Sequence, residues 1–239
     1  MINNNKTDFY MQKKEQVVRT SDIISKKIYD DLKRKNFHNV LDIGAYKGDL
    51  SKYFKRKKNC KIIGLNVIDD YKDNFDYFIH KDFLKCEKKD FENLNIDLIV
   101  SNPPFHRHPE INELYPFLFL EKIFELFSEK IAVVIIVPSY FLSNSNKRMR
   151  KLNELNITKK IVLHKNLFEN ISIESVILYF NIKMKKQFEY LENKKKEKNK
   201  YFKSIALRKD QYDFIKKNIK NFSYEIKQLL KEKYKDFPI

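Results

Sequence analysis

The sequence predicts an α/β domain in which a mostly parallel, seven-stranded sheet ends in a reversed hairpin and is followed by a basic helical tail. Three observations carry that prediction. Short apolar, β-branched runs alternate with helix-like stripes from about residue 20 to residue 180, as expected of a sheet covered by helices. Val40 to Ile43 reads as a strand that passes through Gly44 and Gly48 into a helical segment, Asp49 to Lys57. A strand, a glycine turn and a helix open a nucleotide-binding α/β unit. The last two strand candidates, Lys159–Leu163 and Glu174–Phe180, are joined by a link too short for a helical crossover, so they should pair antiparallel.

The elements follow in order. Residues 1–17 are polar and Asn-rich, and their composition predicts a flexible N-terminus without an apolar signal core. Thr20, Ser21 and Asp22 precede the apolar stripe Ile23, Ile24, Ile28 and Leu32, which predicts a helix capped by Ser21 or Asp22. Lys61 to Leu65 is the second strand and Tyr77 to Ile79 the third, the latter running into Asp82 and Phe83. Leu98 to Ser101 is the fourth. It must stop at Asn102, because Pro103 and Pro104 have no N–H to extend a ladder. A helix is expected over Glu110–Phe127 and a basic one over Lys147–Leu155. Ile131 to Val137, ended by Pro138, is the most apolar strand of all. The domain is thus expected to span 18–182, with a Lys-rich tail at 183–239.

Composition narrows the partners. The net charge is +17 and the isoelectric point near 9.5, for which a polyanion such as nucleic acid is the simplest physical partner. From residue 183 onward 18 basic residues face 8 acidic ones, so more than half of the excess lies in the tail. That tail is either an arm for phosphates or a solvated face. Two cysteines, Cys60 and Cys86, without C-x-x-C spacing or companion histidines, argue against a disulfide scaffold and a zinc site. His106 and His108 read as loop residues, because no acidic or Cys partner lies at ligand spacing. No apolar run approaches membrane-spanning length, so a soluble, intracellular protein is expected.

The chemistry centres on Asn102 to Phe105. A nucleobase amino group is a poor nucleophile, because its lone pair is delocalised into the ring. Two acceptors, the Asn102 side-chain oxygen and the Pro103 carbonyl, could hold both amino hydrogens and draw the nitrogen toward tetrahedral geometry. Phe105 could stack on the face of an extruded base. The plain structural alternative is a strand-ending Pro-Pro turn with a core Phe.

Ser101 to Phe105 resembles the fourth motif of amino-group (N6-adenine type) class I S-adenosylmethionine-dependent methyltransferases, whose sheet is Rossmann-like with a reversed C-terminal hairpin. Asp42, Gly44 and Gly48 match the D-x-G-x-G-x-G motif of that family, with Tyr46 in place of the middle glycine. A side chain there either leans over the cofactor or narrows its pocket. The resemblance implies S-adenosyl-L-methionine as cofactor and no metal. Thr20 falls where a Thr-Pro-type motif meets the methionine end, and Asn66 stands where an acid would accept from both ribose hydroxyls. Asp82 falls where the adenine amino group is held, with Phe83 packed on its ring; a capping Asp with a core Phe is the structural alternative. Phe168, within Leu167 to Ile177, falls where an aromatic side chain contacts the flipped base. The implied activity is methylation of a base amino group in DNA or RNA, chiefly adenine N6, with a separate specificity subunit as a partner to look for. Two other readings stand beside it: a ribosomal RNA guanine-N2 methyltransferase, and a non-catalytic nucleic-acid-binding subunit that keeps the fold.

Overall fold

The computed structural model describes residues 19–143, 146–168, 173–185 and 187–191. The N-terminal stretch and residues 192–239, and with them most of the expected tail, lie outside the described residues.

One mixed sheet organises the domain. Its strands are β1 (Asn39–Ile43), β2 (Lys61–Asn66), β3 (Tyr77–His80), β4 (Leu98–Ser101), β5 (Ala132–Pro138), β6 (Ile157–Leu163), β7 (Ser175–Phe180) and β8 (Phe188–Leu191). They lie in the order β3-β2-β1-β4-β5-β7-β6-β8. β1 pairs parallel with both β2 and β4, and β4 parallel with β5. β7 runs antiparallel to β5 and β6, which is the expected reversed hairpin. Every residue of β4, β5 and β7 is buried, because these strands are covered on both faces and hence read as unbroken apolar runs.

Three α-helices cover the sheet among the described residues: α1 (Asp22–Leu32), α2 (Tyr115–Leu126) and α3 (Asn146–Glu154). Ile24, Ile28 and Leu32 place α1 on one face with Val40, Phe54, Val134 and Ile177. Phe117, Leu120, Ile123 and Leu152 close the other face over Ile99, Val133 and Leu178. None of the described helices is long and apolar enough to cross a membrane.

The structure corrects four expectations. The sheet has eight strands rather than seven. β8 comes from the segment assigned to the tail and pairs parallel with β6, so the folded domain continues to Leu191. The helix expected over 49–57 is only a 3-10 turn, Lys52–Arg56, in which Phe54 is the one buried side chain. Leu50, four residues before Phe54, is buried in the same cluster but lies in the turn ahead of it. The helix expected from Glu110 begins at Tyr115, because Arg107 bridges to Leu114 and folds the intervening residues into a loop. Pro116 then starts the helix, where its missing N–H costs nothing. Ser21 occupies the N-cap of α1 but makes no side-chain capping bond.

β8 is held by charge. Lys159, on β6 and 2 % exposed, lies 2.6 Å from Asp31 of α1 and 2.7 Å from Glu189 of β8. Lys27 bridges the same two carboxylates, each at 2.7 Å, and Tyr179 donates to Asp31 at 3.0 Å. Two ammonium groups thus balance two carboxylates. Burial would raise the Glu189 carboxyl, but Lys159 and Lys27 hold it below the usual range. Removing one partner from a buried cluster leaves uncompensated charge, which costs about 3–5 kcal/mol. Lys159→Met should therefore lower unfolding stability by that order in urea titrations. Adding Glu189→Gln should restore part of the loss, whereas equal stability of wild type and Lys159→Met would show the cluster to be energetically idle.

Candidate active site

The strand order reverses between β1 and β4, and this is where an open α/β sheet binds ligands outside its carboxyl ends. Ile43 and Ser101 are register partners there, and the Ser101 hydroxyl donates to the Ile43 carbonyl at 2.9 Å in the buried interior. The next residue on each strand is Gly44 or Asn102. Gly44 takes φ +74°, a conformation that L side chains rarely adopt, and a Cβ on it would sit 3.8 Å from the Asn102 carbonyl oxygen. Its N–H and that of Ala45 donate to the Leu65 carbonyl, so the turn crosses the end of β2.

Thr20 joins the two motifs. Its hydroxyl accepts from Asn102 Nδ2 at 3.0 Å, and the side chain is 8 % exposed. Arg19 beside it grips both carboxylate oxygens of Asp49, at 3.0 and 3.3 Å, just beyond Gly48. The segment before α1 therefore touches the glycine turn and the Asn102 turn at once. Asp49 was not legible as part of this arrangement, since nothing in its sequence context marks it.

Asp42 lies beneath the turn, 1 % exposed, and its Oδ2 has no hydrogen-bond partner among the described residues. Burial pushes its carboxyl up to about 7, against hydrogen bonds from Ser51 that favour the charged form; nearby Asp49 adds to the rise. A cofactor ammonium or a water would find an acceptor here.

Tyr46 takes a left-handed backbone, at φ +43°. That left-handed conformation costs a non-glycine residue roughly 1–2 kcal/mol. Its ring meets Tyr71 edge-on at 5.0 Å, and the Lys47 ammonium lies over both rings, 4.9 Å from Tyr71 and 5.5 Å from Tyr46. The side chain thus leans toward the loop after β2. Tyr71 gave no sequence signal, because only the fold brings it to the glycine turn. Gly48, at φ +78°, leaves room for the Phe75 ring, which a Cβ would approach to 3.1 Å.

The remaining candidates are placed less openly. Asn66 ends β2 opposite His80, and its carbonyl accepts from the Lys81 N–H. Asp82 Oδ1 accepts from the Leu84 N–H as a cap, and Phe83 is 3 % exposed against Phe119. Both thus show their structural alternatives. Pro103 is buried and Pro104 exposed. Phe105 and Phe168, the rings expected to meet a base, are each 6 % exposed and belong to the core cluster that contains α1. Neither presents an open face, because the apolar packing beneath the turn takes both rings. Among the described residues no group of three or more His, Cys, Asp or Glu side chains could hold a metal ion. A cavity of about 310 Å³ lies away from this edge, between α2 and α3, lined by Phe117, Phe124 and Leu152 among others.

No protein-family model matches the chain, and no curated protein does. Solved structures do. The methyltransferase subunit of a type I restriction-modification system from Streptococcus thermophilus superposes with a TM-score of 0.56 at 16 % identity, covering 84 % of this chain and 51 % of its own. A second type I restriction-modification structure gives 0.54 at 14 %, covering 87 % and 52 %. A protein from Listeria monocytogenes assigned as a class I S-adenosylmethionine-dependent methyltransferase gives 0.53 at 17 %, covering 85 % and 71 %. The fold is that of the class I methyltransferases. The chain spans about half the length of the two restriction-modification chains it matches.

Asp42 and Gly44 near the end of β1, Gly48 in the same turn, and Asn102 at the end of β4 with Thr20 bonded to it gather at one edge: a left-handed glycine turn, a buried carboxylate oxygen and a hydroxyl are groups that could hold a polar cofactor. Asn66, at the end of β2, offers a single neutral side-chain acceptor oxygen.

The Asp42 carboxyl sets a pH dependence. Folding raises its pKa from an ordinary 3.8 to about 7. Its contribution to stability is therefore complete below about pH 4 and lost as the pH rises through 7. Asp42→Asn, neutral throughout, should lack that loss. In thermal melts at stepped pH, the melting temperature of Asp42→Asn should gain on that of wild type between pH 4 and 7. Parallel profiles would show that the carboxyl titrates normally.

Proposed function

We propose that the chain transfers a methyl group from S-adenosyl-L-methionine to the exocyclic amino group of a nucleobase, adenine N6, in a nucleic acid, with DNA favoured. One observation carries this reading: Asn102-Pro103-Pro104-Phe105 stands at the carboxyl end of β4, against Gly44, with the amide nitrogen of Asn102 committed to Thr20. The amide orientation set by Thr20 turns Oδ1 away from that hydroxyl, and Oδ1 lies buried within the turn. The Pro103 carbonyl lies on the same rigid turn.

When bound, the cofactor supplies a methyl group already activated on sulfonium, so the protein need do little beyond alignment and electrostatics. Asn102 and the Pro103 carbonyl would hold the amine hydrogens and keep the nitrogen lone pair out of conjugation. Thr20, Asp42, Gly44, Gly48 and Asn66 would hold the cofactor, and Tyr46 with Tyr71 would close its rim. DNA is favoured because two similar structures belong to type I restriction-modification systems, and one of them is a methyltransferase subunit. Those chains are about twice as long as the part this chain matches, and a partner subunit is the proposed source of target recognition. The basic segment after residue 182 would add contacts to phosphates that carry no sequence information.

A second reading has its own support. The left-handed Tyr46, the neutral Asn66 and the closed Phe105 and Phe168 rings suit a chain that keeps the fold and binds nucleic acid without catalysis. Calorimetric titration with S-adenosylmethionine separates the two, since only the enzyme should bind it.

The decisive experiment incubates the full chain with isotope-labelled cofactor and separate DNA and RNA pools, followed by nucleoside mass spectrometry. Label on N6-methyladenine in DNA is the expected result, and label on guanine N2 in RNA would redirect the assignment. In the same assay Asn102→Ala should lower transfer by about 100-fold or more, as for removal of one polar contact to a reacting centre. Cofactor affinity should fall far less than turnover, because the variant costs the cofactor side only the amide hydrogen bond to Thr20 while it removes the acceptor for the amine outright. Near-normal turnover of the variant would sink the proposed role of the turn.

A further inference from the structure

The turn that carries Asn102 is gripped from outside the sheet by the residues that follow β5. Tyr140 donates its hydroxyl to the Phe105 carbonyl at 2.8 Å. Farther along, on α3, Arg148 donates through Nη1 to the Phe141 carbonyl at 3.1 Å and through Nη2 to Glu113 at 2.8 Å. Glu113 closes the loop that began at Phe105, and the same carboxylate oxygen also accepts from the Leu114 N–H at 2.7 Å. One short stretch after β5 therefore holds both ends of the segment 105–113.

This brace sits in an apolar place. Arg148 is 1 % exposed, with its guanidinium 5.2 Å from the Phe141 ring centre and 5.8 Å from that of Phe117. Burial would raise the Glu113 carboxyl, but the Leu114 N–H and Arg148 hold it below the usual range. A buried ion pair is weak evidence for stability, because well-packed apolar side chains often serve as well or better. What such a pair does supply is direction.

Direction is what the turn lacks by itself. Pro103 and Pro104 have no N–H, so no backbone donor within the dipeptide can anchor it. Their rings restrict φ but leave the peptide plane at Phe105 to be set from elsewhere. Tyr140 sets that plane, and Arg148 fixes the far end of the loop through Glu113.

We propose that Tyr140 and Arg148 are positioning residues for the methyl-accepting site, acting through the Phe105 carbonyl and Glu113 to hold Asn102 and the Pro103 carbonyl against the incoming amine. The proposal rests on the assignment of Asn102 to Phe105 as that site. Neither residue touches substrate. A displacement of about 1 Å at a reacting centre can lower the rate about 100-fold, so releasing one end of the turn should show in turnover before it shows in binding.

The test uses the full chain and whichever nucleic-acid pool the wild type methylates. Tyr140→Phe keeps the ring and removes one hydroxyl. It should lower kcat by roughly 10- to 100-fold while KM for nucleic acid and the calorimetric Kd for S-adenosylmethionine change less than about twofold, with the melting temperature nearly unchanged. Arg148 variants risk unfolding, so the far end is read at Glu113 instead. Glu113→Gln retains an acceptor and should keep most of the activity, whereas Glu113→Ala should repeat the kcat loss. Unchanged kcat in Tyr140→Phe overturns the proposal, and so does a fall matched by lost cofactor affinity or by a collapsed melting temperature. An active wild type with an equally active Tyr140→Phe refutes the positioning role alone. A wild type that methylates neither pool refutes the site assignment, and the positioning role falls with it.

Discussion

Two consecutive residues without an N–H govern the functional edge of this molecule. Pro103 and Pro104 end β4 and forbid any ladder beyond Ser101, so the turn must be fixed by side chains and by carbonyls that accept from far away. The partners come from remote parts of the chain: Thr20 lies 82 residues from Asn102, and Tyr140 lies 35 residues from Phe105. Ser101, the last strand residue, is tied to the Ile43 carbonyl of β1 across 58 residues. The edge is therefore a meeting point of four segments, none of which could form it alone. A buried polar arrangement of this kind is costly wherever it goes unsatisfied, and among the described residues the buried Asp42 Oδ2 is such a place.

Much of the architecture was legible because period and punctuation agree. The strands β4, β5 and β7 are buried on both faces, and burial on both faces is written as an uninterrupted apolar run. Gly44 and Gly48 marked a turn because a left-handed backbone selects for them, and both are left-handed here. The short link before β7 predicted the antiparallel pairing correctly. At the site, Asp42, Gly44, Thr20 and Asn102 come together at the reversal of strand order, which motif spacing alone could suggest.

Most of what escaped has physical causes. β8 is four residues long, and its docking depends on Lys27 and Lys159 finding Glu189, a contact between segments that no local pattern announces. The excess of lysine in the composition makes each one look like solvated surface, yet Lys159 is among the most deeply buried side chains. The helix expected at 49–57 shortened to a 3-10 turn although Leu50 and Phe54 are both buried, and the structure gives no physical reason for it. Tyr71 and Tyr140 carry no motif, since their importance comes only from what the fold places beside them. Burial of Phe105 stood only as the structural alternative and that of Phe168 was hidden, because an aromatic residue in a loop reads the same whether it faces solvent or fills the core.

The balanced cluster of two lysines and two carboxylates has a bearing on how the molecule is made. Synthesis delivers Lys27 and Asp31 first, Lys159 much later and Glu189 last of all. Before Glu189 emerges, the cluster holds two cations and one anion, and a deep cation lacking its partner resists closure of the apolar layers around it. A chain interrupted short of β8 would thus remain loosely shut and open to proteases, while a finished one locks. The charge on β8 is the last of the four to be made, and it comes from the strand that the other three hold in the sheet.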